Sequence, residues 1–371
     1  MHVLHVYKDY PPVLGGVEQH LELVAGALAQ RGLRVTVLVT GAGLKTTVTR
    51  EGDVEVIRAG RLGTLASTPI SPALVRHLLH LDPDLTHLHF PYPPAEVAQL
   101  LVGRRRPAVV YYHSDVVRQR FLGLLYRPLM WRFLRRADRV LASSEVYRTS
   151  SPVLRRLGDR CQVLPLPVDV ERFAHPEPAR LAAWTRRYPG PRVLFVGRLR
   201  YYKGLDHLID AMAEVEATLL VVGRGPLEGR WRARAAASPA AGRIHFLGDL
   251  DAGELPAIYA AADLLALPST RRSEAFGVVQ LEAMAAGTPV ITTELGTGSS
   301  VLHRDGATGL VVPPADPAAL AAALRTLLAD GARRRAMGAE ARRRVAAGHR
   351  LDLFVDRLLG IYREVLAERR R

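Results

Sequence analysis

Within residues 273–293, SEAFGVVQLEAMAAGTPVITT, the glutamates Glu274 and Glu282 stand eight positions apart at the mouth of an apolar helix that runs into a β-branched strand. Treated as one continuous helix, that spacing carries the carboxylates about 12 Å along the axis and roughly 80° around it. The two carboxyls of a glycosidase sit roughly 5–9.5 Å apart, so this pair is too widely spaced for hydrolytic acid/base work. It suits two groups gripping different ends of one elongated ligand. The backbone N–H groups of Ala275, Phe276 and Gly277 would then meet a diphosphate at the positive helix end. Two exposed carboxylates on an amphipathic helix would show the same spacing, so the context has to decide.

Cations are the next chemistry-bearing residues. Arg198 and Lys203 follow an apolar strand in VGRLRYYKGLD, where an arginine can fork onto one phosphate and a lysine can meet another. Lysine occurs only at positions 8, 45 and 203 in a chain with 51 basic residues, and a compact point charge does not substitute for a planar fork. Gly15 and Gly16 lie between the first strand and first helix, where a missing Cβ admits a phosphate or sugar ring; a plain tight turn reads the same way. The dinucleotide fingerprint G-x-G-x-x-G is absent there, which counts against a dehydrogenase. His113 and Asp115 close the strand AVVYYHSD and so fall at a strand end. His87 and His89 share one strand face but have no third ligand spaced nearby, so they read as structural and no metal is expected. Asp249 and Asp251, like Asp82 and Asp84, read as helix caps and not as a metal-holding Asp-x-Asp.

The elements that must position these residues alternate. Short apolar strands such as HVLHVY, RVTVLV, DLTHLHF and AVVYYH are separated by helical patterns, and a second alternation starts at PRVLFVGRL. This predicts an α/β chain of two doubly wound parallel halves with a cleft between them and ligands at the carboxyl ends of the strands. The boundary falls in the proline- and charge-rich crossing after PLPVDVERF, giving domains 1–173 and 174–350, with residues 351–371 returning to the first.

A length of 371 residues with 48% apolar content supplies two cores. The single Cys161 excludes an intramolecular disulfide and fits a reducing compartment. The opening MHVLHVYKDYPP reads as a strand and not as a signal peptide, and no apolar run approaches the roughly 18–20 residues of a membrane span. A cytoplasmic protein is expected. The formal charge of +15 asks for an anionic partner: nucleic acid, a membrane surface or a phosphorylated substrate. Residues 117–139 interleave Leu122, Leu125, Tyr126, Leu129, Met130, Phe133 and Leu134 with arginines from Arg118 and Arg120 to Arg135 and Arg136. That stripe either lies on an anionic membrane, making the protein peripheral at its inner face, or packs on the sheet beneath solvated arginines. Pro128 is expected to kink or interrupt the helix.

The pieces GGVEQHLELVAGALAQRG, HSD at 113–115, PLPVDVERF, VGRLRYYKGLD, VVGRGP, FLGDLD, and SEAFGVVQLEAMAAGTPVITT with GLVVPP, in this order and spacing, are together similar to the retaining glycosyltransferases of family four. The resemblance covers nearly the whole chain. It implies the GT-B fold, two facing Rossmann-like domains with an interdomain cleft, the acceptor bound by the first and a nucleotide-sugar donor by the second, and no required metal or other cofactor. Carried over by motif, Glu274 contacts donor-sugar hydroxyls, Glu282 the ribose hydroxyls, and Arg198 and Lys203 the diphosphate beside Phe276 and Gly277. The backbone near Leu250 edges the base, Gly16 lines the phosphates from the other domain, and His113 sits by the reacting sugar. Gly15, Gly16, His113 and Asp115 are the acceptor-side candidates; His113, Arg198, Lys203 and Glu274 are the catalytic ones.

Within the family, residues 111–154 and ELGTGSS look like members that add mannose or rhamnose-type sugars to surface polysaccharides or lipid-linked glycans. On that looser likeness GDP-mannose is favoured over a UDP-sugar as donor, and a glycan or lipid-linked molecule is the acceptor. The competing readings are a nucleotide-sugar epimerase on the same fold, which needs no acceptor, and a non-catalytic binder of an anionic surface or nucleic acid. No nucleic-acid module is present and the aromatics are sparse, so nucleic acid is not expected.

Overall fold

The computed structural model describes the chain apart from residues 14, 66–67, 103–105 and 116–119 and the side chains of 120–125. It divides into two compact units, Met1–Pro165 with Leu351–Arg371, and Leu166–Arg350.

Unit 1 contains strands β1 (His2–Val6), β2 (Arg34–Thr40), β3 (Thr47–Glu51), β4 (Val54–Ala59), β5 (Gly63–Leu65), β6 (Thr68–Ile70), β7 (Leu85–Phe90), β8 (Ala108–Tyr112), β9 (Arg139–Ala142) and β10 (Cys161–Val163). Its helices are α1 (Gly16–Gln30), α2 (Pro72–His80), α3 (Pro93–Val102), α4 (Arg120–Arg136) and α5 (Glu145–Ser150). The main sheet runs β10-β9-β8-β7-β1-β2-β4-β3, and β5 and β6 pair separately. Among the described residues, edge strand β3 alone is antiparallel to its neighbour in the main sheet. Strands β7 and β8 are buried along their whole length, as parallel strands covered on both faces must be. Local chemistry starts the helices: the Ser71 hydroxyl accepts the Leu74 N–H at 3.0 Å ahead of Pro72, whose fixed φ suits a first helical position.

Unit 2 contains β11 (Arg192–Val196), β12 (Thr218–Val222), β13 (Ile244–Gly248), β14 (Leu264–Leu267), β15 (Val290–Thr293) and β16 (Gly309–Val312). They form one parallel sheet in the order β13-β12-β11-β14-β15-β16. Its helices are α6 (Val170–Ala174), α7 (Pro178–Arg187), α8 (Leu205–Ala211), α9 (Glu228–Ala236), α10 (Leu255–Ala261), α11 (Val278–Ala286), α12 (Gly298–Val301), α13 (Pro317–Ala329) and α14 (Gly331–Gly348). Phe195, Leu208, Met212, Trp231, Leu324 and Met337 fill one core against the sheet. The crossing segment from Leu166 lies with this unit, where Val168 bridges to Arg350.

The last helix, α15 (Leu351–Arg370), belongs to unit 1. Its buried stripe of Phe354, Val355, Leu358, Leu359 and Tyr362 faces inward, and Arg369 pairs with Asp138 at 2.7 Å.

Two local expectations are corrected, and one open alternative is met. Helix α4 passes through Pro128 uninterrupted. From residue 126 onward Met130, Phe133 and Leu134 are buried while Arg127, Arg132, Arg135 and Arg136 are exposed, the pattern of a stripe packed inward beneath solvated arginines. Arg118 and the Arg120 side chain lie outside the described residues. The aspartate pairs do not cap: Asp249 stands 3.9 Å from Arg224, α10 starts after Glu254, and Asp84 accepts the His2 backbone N–H at 2.7 Å. Among the described residues no helix is long and apolar enough to cross a membrane.

Candidate active site

A doubly wound sheet offers its ligand crevice outside the carboxyl ends of the strands, where the strand order reverses. In unit 2 that point lies between β11 and β14. Lys203 comes from the segment after β11 and Glu274 from the segment after β14, and they meet there, Nζ to Oε2 at 2.6 Å. Both are buried, at 7% and 6% exposure. The Ser269 hydroxyl donates to the same Oε2 at 2.9 Å. Burial alone would lower the Lys203 pKa, but the adjoining carboxylate and Tyr202 hold it above its ordinary value, so the ammonium stays charged.

Backbone geometry fixes this pairing. The Thr270 N–H donates to the Tyr202 carbonyl at 2.7 Å, stitching the two segments together. Gly204, with φ +66°, lies so close to Pro268 that a Cβ would sit 2.0 Å from its carbonyl oxygen. Only glycine permits both the left-handed backbone and that approach. The Thr297 hydroxyl holds the Glu274 carbonyl at 2.9 Å from a third segment.

Helix α11 begins at Val278, after a left-handed Gly277, so Glu274 precedes the helix and the projection of 12 Å along one continuous helix does not apply. The helix's own first-turn N–H groups come from Val278 onward, whereas Ala275 and Phe276 are buried ahead of it. Gln280 secures the turn, donating to the Phe276 carbonyl at 2.9 Å and the Ser299 hydroxyl at 3.0 Å. Glu282 lies one turn into the helix, buried, and accepts the Tyr259 hydroxyl at 2.6 Å. Burial raises its pKa against the opposing pull of Tyr259 and Arg172. Arg198 is exposed and has no ion pair among the described residues, which leaves its fork open. Leu250 lines a cleft of about 460 Å³ at the edge strand β13 with Trp184, Tyr188, His245 and Phe246; Lys203, Glu274 and Glu282 are not part of that wall.

The remaining candidates stand in unit 1. Gly16 is the exposed first residue of α1. Gly15 precedes it with an extended φ of 178°, which any residue adopts, but a Cβ there would meet the Glu18 carboxylate at 2.1 Å. His113 follows β8, half-buried, with Nε2 2.9 Å from His89 Nδ1. Burial lowers its pKa to about 3, so the ring is neutral. Asp115 accepts the hydroxyls of Tyr112 at 3.0 Å and Ser151 at 2.6 Å, which ties it to the fold.

Sequence spacing passed over several of these contacts. Ser269, Tyr202, Gly204 and Tyr259 set the acidic and basic groups of unit 2; Tyr202 and Gly204 lie within VGRLRYYKGLD, but their type alone assigns them no contact. Along the chain His87 and His89 have no third ligand spaced nearby. In the fold, one ring nitrogen each from His20, His89 and His113 lie within 4.8 Å of one another.

The comparisons agree with this architecture. The family model described as Glycosyltransferase Family 4 matches residues 14–172, and that described as Glycosyl transferases group 1 matches residues 183–344. The D-rhamnosyltransferase WbpZ of Pseudomonas aeruginosa is 39% identical over 350 residues, spanning 93% of this chain and 91% of its own length. The O-antigen chain mannosyltransferase C of Escherichia coli is 34% identical over 369 residues, 99% of both chains. Among solved structures, sucrose-phosphate synthase from Thermosynechococcus elongatus superposes with a TM-score of 0.84 at 24% identity over 99% of both chains, a likeness of fold. Two Rossmann-like units with parallel sheets, matched along their length by sugar transferases, make this chain a member of the family-four glycosyltransferases with the GT-B fold.

Proposed function

We propose that the protein transfers a hexose with retention of anomeric configuration, without a required metal, from a nucleotide sugar to a glycan or lipid-linked acceptor in surface polysaccharide or glycolipid synthesis. The observation that carries the donor site is the buried Lys203–Glu274 pair at the reversal point of the unit 2 sheet, with the exposed Arg198 on the same segment after β11. The names of the relatives support a mannosyl or rhamnosyl group, and a 30% identical mannosyltransferase of Mycobacterium tuberculosis named as GDP-mannose-dependent supports a GDP-sugar in preference to a UDP-sugar.

In this reading Arg198 grips the diphosphate first, since Lys203 is already paired. Lys203 holds Glu274 in place through Oε2 and adds positive potential behind the leaving phosphate, and Glu274 offers Oε1 to a donor-sugar hydroxyl. Glu282 takes the ribose hydroxyls, the backbone near Leu250 edges the base, and the first-turn N–H groups of α11 face the phosphates. Unit 1 presents the acceptor, with Gly16 at the phosphates and His113 at the reacting sugar. Charge building on the diphosphate is met by donors already oriented, which stabilises the transition state without reorganisation. The acceptor oxygen attacks the anomeric carbon on the face the diphosphate leaves. The departing phosphate oxygen takes the acceptor's proton, so no enzymic nucleophile is needed.

A thermal-shift panel of GDP-mannose, GDP-rhamnose and UDP-glucose tests the donor, because a ligand of the native state adds about 2.7 kcal/mol at a hundredfold excess over Kd. A GDP-sugar should raise the melting point most, and transfer should persist in EDTA with an unchanged anomeric configuration in the product. Full turnover by both Arg198→Ala and Glu274→Ala would sink the assignment. A peripheral position at an anionic surface predicts sedimentation with anionic vesicles at low salt.

A further inference from the structure

We propose that unit 1 carries a site for a first-row transition-metal ion of the zinc class, with His20 on α1, His89 on β7 and His113 after β8 as its three protein ligands. Their ring nitrogens already lie within 4.8 Å of one another. Tetrahedral zinc with Zn–N bonds of 2.0–2.1 Å separates its nitrogens by about 3.3 Å. The His89 Nδ1 and His113 Nε2 atoms, 2.9 Å apart, need to open by a few tenths of an ångström, and the widest separation must close by roughly 1.5 Å. Rotation of the His20 ring supplies that closure, because among the described residues neither of its nitrogens has a hydrogen-bond partner although the residue is 4% exposed.

The surroundings fit a ligand set. His5 Nδ1 lies 3.2 Å from His89 Nε2, so His89 can donate its Nε2–H there and keep Nδ1 unprotonated for a metal. An outer partner that fixes the tautomer is what metal-binding imidazoles ordinarily have. His87 stacks on His89 at 4.8 Å and is held by the Tyr362 hydroxyl, which limits movement of the ring from the other side. Buried imidazoles are held in the neutral form that binds metal, so binding requires only that His113 move its N–H from Nε2 to Nδ1, with no net proton released. His113 is half-buried, which gives the ion a way in, and three protein ligands leave a fourth position for water.

The consequence rests on the transferase reading given above. A His113 that ligates metal is withdrawn from the donor sugar, so the site inhibits transfer when filled and the reaction runs when it is empty. This differs from a catalytic metal, which transfer would require.

Cobalt(II) titration of the tag-free full chain, read by its visible d–d absorption and by calorimetry, tests the site without turnover. The expected result is one ion per chain with tetrahedral absorption, displaced by zinc, and at least tenfold weaker binding in His20→Phe and in His89→Phe, each checked for folding by far-UV circular dichroism. No uptake by the unaltered chain, or equal affinity in a folded His20→Phe, would overturn the site. Zinc should also lower transfer by the unaltered enzyme at least tenfold, reversibly with EDTA, and the His20→Phe enzyme should lose that sensitivity. Zinc that binds without slowing transfer would overturn the inhibitory role. Because the cobalt readout needs no donor, a failed metal site leaves the transferase reading standing, and a failed donor screen leaves the cobalt result standing.

Discussion

The two sheets bury polar groups at the same topological place by opposite means. At the reversal between β11 and β14, unit 2 buries a lysine and a glutamate that cancel each other's charge. At the reversal between β7 and β1, unit 1 buries His5, His20, His87 and His89, with His113 beside them, and keeps the rings neutral. The first arrangement is a matched pair that fails when one member is removed. The second tolerates nitrogens without a partner among the described residues, on His5, His20 and His87, but fails when protons arrive. Strand ends thus give one unit a fixed electrostatic grip and the other a set of neutral imidazoles.

Acid should break the comparison most strongly. The pKa values of His5 and His113 fall to about 3, and those of His20, His87 and His89 are also lowered, in each case chiefly by burial. Between pH 6.5 and 3 the unfolded chain binds protons that the folded chain refuses. The histidines' contribution to stability is therefore full above 6.5 and lost as pH falls, by about 1.4 kcal/mol per pH unit for each proton taken up. Glu96, which burial raises to about 7 despite its bonds from Tyr126 and the Tyr92 N–H, has the opposite slope from 4.5 to 7 and is outnumbered. Urea unfolding at stepped pH reads the net slope, which His20→Phe should flatten. A pH-independent midpoint from 7 to 4 would refute the neutral cluster.

Next in size is Glu274→Ala. It strands the buried Lys203 ammonium and should cost about 3–5 kcal/mol by chemical denaturation. Transfer should fall with it; a loss of stability below 1 kcal/mol would mean that the pair is not the matched unit described.

Gly204→Ala follows, at about 1–3 kcal/mol, since it is strained in φ and meets the Pro268 carbonyl. Gly32→Ala is its control: φ is +82° but nothing lies within 4 Å, so only the backbone term remains. Equal melting points for the two variants would remove the close approach from the account. The smallest stability effect belongs to Arg198→Ala, within about 0.5 kcal/mol of the parent, because the side chain is exposed and carries no ion pair among the described residues. Its donor affinity, measured by calorimetry, should nevertheless drop about tenfold or more, the weight of a charge-assisted contact to phosphate.

Much of the architecture was legible in the chain. Apolar strands such as RVTVLV and TLLVV, alternating with helical stripes, required parallel sheets covered on both faces, and strand ends marked where Lys203, Glu274 and His113 had to stand. Residue type and order alone also carried the family, because backbone turns and strand-end charges recur in a fixed sequence of motifs. The site's actual geometry was not legible. Whether Glu274 lies on α11 or before it depends on Gly277 adopting a left-handed backbone, which a helical projection cannot register. Lys203 appeared as a free cation because its carboxylate partner is remote in sequence and arrives through β14.

The sequence by itself determined the two alternating halves and the identities of the groups at their strand ends, since periodicity and local turn chemistry act over a few residues. Only the tertiary structure decided which of those groups meet. The same parallel order that brings β14 beside β11 puts Glu274 on Lys203, and the order that brings β7 and β8 beside β1, with α1 packed over them, gathers His20, His89 and His113. Such contacts join residues tens of positions apart, and their distances are set by how elements pack across a sheet, which no spacing along the chain records.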